Sequence, residues 1–141
     1  MVAPSEMLGR RTKVVRWPTH VARVGGVVML AGAGVNLVLT IALPESYSSL
    51  GEWMNGPEPL GRLWSATMGR HPRVWVPVVG IAFEAGVGTL ALSRYRGRRL
   101  AGLVGIGTFH VGLLVMGLWP WAVPVLAVVI PAAVATARTP D

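Results

Sequence analysis

Residues 74–118 read VWVPVVGIAFEAGVGTLALSRYRGRRLAGLVGIGTFHVGLLVMGL. Two apolar arms of roughly equal length flank the short basic loop RYRGRR, residues 94–99. About 20 mostly apolar residues suffice for a helix to cross the hydrocarbon core of a bilayer. Each arm has that length, so the stretch predicts two antiparallel transmembrane helices joined by an arginine-rich turn.

The same test applied outward finds two more spans. One is Val21–Leu43, VARVGGVVMLAGAGVNLVLTIAL, and the other is Trp121–Ala137, WAVPVLAVVIPAAVATA. The expected spans are therefore about 21–43, 74–93, 100–118 and 121–137, with a long connection at 44–73. The expected fold is all-α, an integral membrane four-helix bundle. A basic tail at 1–20 precedes it and a short tail at 138–141 follows. The first apolar run is longer than a signal-peptide core and no small-residue cleavage site follows it, so it is read as a retained span.

Composition agrees. Hydrophobic residues make up 52% of the chain and charged residues only 13%, about half the share usual in soluble domains. There is no cysteine, which excludes disulfides, thiol chemistry and cysteine-held zinc or iron–sulfur clusters. The net charge of +7 does not point to nucleic acid, because ten of the thirteen Lys and Arg residues flank apolar segments. Arg10, Arg11, Lys13, Arg16 and Arg23 lead the first span. Arg94, Arg96, Arg98 and Arg99 fill the hairpin loop, and Arg138 ends the fourth span. By the positive-inside rule both termini and the hairpin loop face the cytoplasm. Five of six tryptophans, Trp53, Trp64, Trp75, Trp119 and Trp121, then fall at the outer boundary, where indole rings favour the headgroup level. The basic loops serve first as topology signals and can also meet anionic lipid heads.

The outer connection carries a short amphipathic stripe, Leu60, Leu63, Trp64 and Met68. It predicts a helix lying on the bilayer or capping the bundle, with a lid over a site as the sharper alternative. Ser46–Gly56 reads as irregular, and WPW at 119–121 as a tight turn.

Glu84 is the only charge between Arg73 and Arg94. A charge at mid-bilayer costs on the order of 2.5–3.5 kcal/mol. It can hold a proton, since desolvation favours the neutral acid, or find a partner in the bundle. Counting outward from the arginine loop at about 1.5 Å per residue puts Glu84 and His110 at one depth, some 15 Å up. Gly80, Glu84 and Gly88 share a helix face, and Gly107, His110 and Gly117 are read as another. Small residues let helices approach closely. The expectation is an intramembrane Glu84–His110 pair between glycine-lined faces. On the first span Met29, Gly32, Asn36 and Thr40 share a face, and Asn36 with Thr40 extends the polar line. An equally weighted alternative makes the Glu84–His110 pair interhelical glue, and for Asn36 alone glue is the favoured reading.

No phosphate loop, nucleophile elbow, HExxH or dinucleotide fingerprint occurs. His20, His71 and His110 lie in different layers, so no metal site is expected, and no cofactor is implied. His110 alone does not make a haem site. An enzyme acting alone is not expected.

The Gly-rich first span behind a basic lead, FEAGVGTLAL with Glu84, Gly88, Leu90 and Leu92, and RLAGLVG opening the third span together resemble the DoxX-like group of small four-span bacterial membrane proteins. The resemblance implies the bacterial inner membrane. It also implies an accessory role in membrane oxidoreductase systems linked to quinones or sulfur compounds. Glu84 matches a position the group tends to keep polar, and no catalytic residue carries over. The leading expectation is a partner or accessory subunit, in contact with lipid and with itself or a larger membrane complex. The alternative is a small proton- or cation-coupled transporter working through Glu84.

Overall fold

The computed structural model describes residues 16–54 and 56–139. The basic tail through Val15, with Arg10, Arg11 and Lys13, and residues 140–141 lie outside them. The described residues form helices and connecting turns without strands. Helix α1 is Trp17–Ala42, α2 is Ser46–Glu52 and α3 is Glu58–Trp64, prolonged by a π-helical turn at Ser65–Gly69. Helix α4 is Pro72–Ala91, with a π-helical turn at Val76–Ile81. Helix α5 is Arg96–Val115 and α6 is Trp119–Arg138. Helices α1, α4, α5 and α6 are each long and apolar enough to cross a membrane, the make-up of a multi-pass membrane protein.

Proline sets several of the starts. Pro18, Pro59, Pro72 and Pro120 stand in the first turns of α1, α3, α4 and α6. There the missing N–H costs nothing and the fixed φ suits a helix. The helices therefore begin before the apolar runs do. Pro77 lies within the π turn of α4. A proline inside a helix removes one hydrogen bond and crowds the carbonyl four residues back, which widening the turn relieves. Helix α6 runs unbroken through Pro124 and Pro131.

The long helices alternate in direction. Glycine sets how closely they approach. At the α1–α4 crossing Gly26 and Gly88 lie face to face. A Cβ on Gly26 would come 2.9 Å from the Gly88 carbonyl oxygen, and one on Gly88 would come 2.8 Å from that of Gly26. At the α4–α5 crossing a Cβ on Gly102 would fall on the main chain of Ala91, and one on Gly105 would come 2.7 Å from Val87. Helix α4 is thus gripped on two sides by bare backbone. Ala22, Met29, Val87, Ala91, Leu103, Ile106, Val129 and Ala132 form the buried core between the four helices.

Only 22% to 28% of each long apolar stretch is buried inside the chain. Val24, Ile41 and Val78 are each about two-thirds exposed. So much outward apolar surface needs a nonaqueous covering.

Two local expectations are corrected. Ser46–Glu52 is helical rather than irregular, because Tyr47 is buried and anchors the turn against α1. The tight turn lies at Met116–Leu118, and Trp119 and Trp121 belong to the first turn of α6. Gly117 accordingly does not line a packing face. It has φ 87°. Its N–H bonds to Leu114 O at 3.0 Å, and the Leu118 N–H bonds to Leu113 O at 2.9 Å, the Schellman ending of a helix. A side chain in this left-handed conformation costs about 1–2 kcal/mol. Gly117→Ala is expected to lower unfolding stability by that amount in a denaturant titration.

Candidate functional site

Glu84 is buried, 5% exposed, on the face of α4 that meets α1. Its partner is Asn36, whose Nδ2 donates to Glu84 Oε2 at 2.8 Å. The amide thus turns its nitrogen, which can only donate, to Glu84. The amide oxygen is then left for another donor. That donor is Tyr47 of α2, whose hydroxyl lies 2.9 Å from Asn36 Oδ1 and 3.1 Å from the Asn36 carbonyl. Thr40 donates to the same Asn36 carbonyl at 2.7 Å and stands 3.4 Å from the Tyr47 hydroxyl. The main-chain carbonyl of Tyr47 in turn accepts from Trp64 Nε1 at 2.8 Å. A continuous polar chain therefore runs from Trp64 through Tyr47 and Asn36 to Glu84.

Glycine makes room for it. A Cβ on Gly32 would stand 3.3 Å from both carboxylate oxygens, and one on Gly80 would stand 3.9 Å from Asn36 Nδ2. Met29, Gly32, Asn36 and Thr40 do share one side of α1, and that side faces Gly80, Glu84 and Gly88 of α4.

His110 stands elsewhere. Its Nδ1 is 2.8 Å from the Ile106 carbonyl of its own helix, and its ring lines a separate groove with His20, Gly25 and Pro124. Equal depth does not fix azimuth. Successive helix residues are turned by about 100°, and it is Phe109 that faces α4, its ring stacked on Phe83 at 6.1 Å. Gly107 points to α6, near Val129. The acid is thus held by the first span rather than by the third.

One wall of a cavity of about 360 Å³ is formed by Glu84, Asn36 and Tyr47. Phe83, Phe109, Leu113 and Met116 supply its apolar sides, and Leu50, Met54, Trp64 and Met68 roof it from the α2–α3 segment. Of the amphipathic stripe, Trp64 and Met68 face this space while Leu63 is 59% exposed. The segment caps the bundle and covers the cavity at once. Between Glu84 and the arginine end lie the buried core residues Val87, Ala91, Leu103 and Ile106, each under 9% exposed.

Tyr47 is the functional residue that sequence reasoning missed. Burial pushes its phenol above the usual range, the contact with Thr40 works in the opposite sense, and the neighbouring Glu84 adds a smaller upward push. It therefore stays a hydrogen-bond donor at neutral pH. Tyr47→Phe removes that donor and leaves the Asn36 amide oxygen without its side-chain partner. The expected cost is about 0.5–1.5 kcal/mol, read as a lower midpoint in detergent unfolding.

Among the described residues no three His, Asp or Glu side chains come together to hold a metal ion. No family model, curated protein or solved structure matches the chain.

Proposed function

We propose that the chain is a partner or accessory subunit of a membrane complex, and that it contributes a binding site for an apolar small molecule with a hydrogen-bonding head. One observation carries this reading: a buried carboxylate, held by Asn36, which Tyr47 holds in turn, forms with them the polar wall of an otherwise apolar cavity of about 360 Å³. Small-molecule sites have this character, apolar walls of some 300–1,000 Å³ with a few convergent polar groups. The positive-inside rule puts the arginine loop in the cytoplasm, so the cavity opens in the outer half of the bilayer. The DoxX-like resemblance supports the bacterial inner membrane and a ligand of the quinone type. A quinol hydroxyl would donate to Glu84, and its ring would lie against Phe83 and Phe109.

A proton- or cation-coupled carrier would use the same carboxylate. The packed layer between Glu84 and the arginine loop favours binding over passage. Titration of the full chain in nanodiscs with a short-chain quinol, followed by quenching of tryptophan fluorescence, tests the reading. Saturable quenching that Trp64→Phe diminishes supports it. Quenching that only tracks partition of quinol into empty nanodiscs rejects it. Proton-coupled flux in vesicles, abolished by Glu84→Gln, would establish the carrier instead.

A further inference from the structure

The arginine end of the bundle is chemically one-sided. Arg16, Arg23, Arg94, Arg96, Arg98, Arg99 and Arg138 gather there, at the start of α1, the α4–α5 turn, the first turn of α5 and the end of α6. Among the described residues every carboxylate lies elsewhere. Glu45, Glu52 and Glu58 belong to the opposite end, where Glu58 pairs with Arg62 at 3.3 Å, and Glu84 is deep in the bundle. One of these cations has a clear structural duty: Arg96 donates to the Thr136 and Ala137 carbonyls, at 2.9 and 2.7 Å, and ties α5 to the end of α6. The others meet no acid among the described residues.

The loop also shows local preparation. Tyr95, 53% exposed, carries the Arg94 guanidinium 4.9 Å and the Arg98 guanidinium 5.3 Å from its ring centre. Arg94 Nη2 donates to the Tyr95 hydroxyl at 2.8 Å. Arg99 Nε is buried, and no acceptor among the described residues reaches it. A buried donor without an acceptor costs about 1–3 kcal/mol. Near this donor-rich segment an apolar groove runs between α5 and α6, lined by Val104, Ile130, Ala133 and Val134, with Val104 55% exposed.

We infer that the Arg94–Arg99 segment binds the phosphate headgroup of an anionic phospholipid, whose acyl chains lie along the groove between α5 and α6 at Val104 and Ile130. The inference rests on the membrane reading of the four spans but not on the cavity or its ligand. Guanidinium groups bind phosphate oxygens through paired N–H donors. The adjoining aliphatic surface selects a lipid over free phosphate, because only a lipid satisfies both surfaces.

The test uses the full chain, purified in a mild detergent, with its N-terminal tail kept in every variant. Native mass spectrometry counts bound phosphatidylglycerol, phosphatidylcholine and inorganic phosphate. Retention of phosphatidylglycerol over phosphatidylcholine is expected. Each arginine removed should weaken it about fivefold, so Arg94→Gln with Arg98→Gln, both exposed positions, should lose about 25-fold. The matching Lys pair should retain most of the binding through its charge. Adding Arg99→Gln should deepen the loss, with circular dichroism confirming helix content. Equal retention of the two lipids, or unchanged binding in the Gln pair, overturns the proposal. Inorganic phosphate that displaces phosphatidylglycerol at equal concentration overturns the lipid assignment and makes the loop a phosphate site.

Discussion

Gly102→Val will leave little folded protein. A Cβ at residue 102 has nowhere to go, because it would land on the main chain of Ala91 and 2.8 Å from the Ala91 side chain. Main chain cannot step aside as a flexible side chain can. The α4–α5 crossing must therefore open, and the contacts around Val87, Leu103 and Ile106 open with it. Overpacking costs about 1–3 kcal/mol where neighbours can shift, and more where they cannot. Net stabilities are only about 5–15 kcal/mol. The expected loss is about 3 kcal/mol or more, read by detergent unfolding or as a collapse in the monodisperse fraction. Gly86 gives the contrast within α4. It has nothing within 4 Å of its would-be Cβ, so Gly86→Ala should be neutral or stabilising by up to about 1 kcal/mol through helix propensity. If the two substitutions behave alike, close helix approach is not what the glycines provide.

Glu84→Leu should have the largest effect on binding. It removes the one carboxylate on the cavity wall and leaves Asn36 Nδ2 without its acceptor. A hydrogen bond to a charged group is worth about 1.5–3 kcal/mol, so affinity for a short-chain quinol should fall about 10- to 150-fold. Orphaning the Asn36 donor adds about 1–3 kcal/mol of lost stability. Glu84→Gln separates the two effects. Its amide oxygen still accepts from Asn36, so stability should change by less than about 1 kcal/mol, while the charge-assisted contact to ligand is gone. His110→Ala is the matched control. His110 lines another groove, and its loss should leave quinol affinity unchanged. Binding that survives Glu84→Leu, or that depends on His110, would contradict the placement of the site.

The spans were legible because hydrophobic length is a property of the sequence itself. The faces carrying Gly80, Glu84 and Gly88, and Gly32, Asn36 and Thr40, were legible too, since i, i+4 spacing fixes phase within one helix. How those faces pair was not. Depth counted from the arginine loop set His110 level with Glu84, yet one residue's rotation gave the α4-facing position to Phe109. Gly117 was read as a packing residue because its left-handed φ is invisible without the turn it closes. Tyr47 escaped notice for a similar reason. Its importance arises only when Ser46–Glu52 folds back as a helix over the end of α1, in a segment whose serines and glycine suggested no helix. Gly26 and Gly102 were indistinguishable in sequence from Gly34 and Gly86. Only coordinates show which glycines touch a neighbouring backbone.

The site stands on the buried acid of α4 being held by Asn36 of the first span. A pair of double-mutant cycles tests this most directly, with unfolding free energies measured for the reconstituted protein. One cycle combines Asn36→Ala with Glu84→Ala, and the other combines His110→Ala with Glu84→Ala. Hydrogen-bonded pairs inside membrane proteins couple by about 0.6 kcal/mol on average and up to about 1.7. Coupling in that range for Asn36 and Glu84, with none beyond error for His110 and Glu84, is the predicted result. Coupling confined to the His110 cycle would contradict the account.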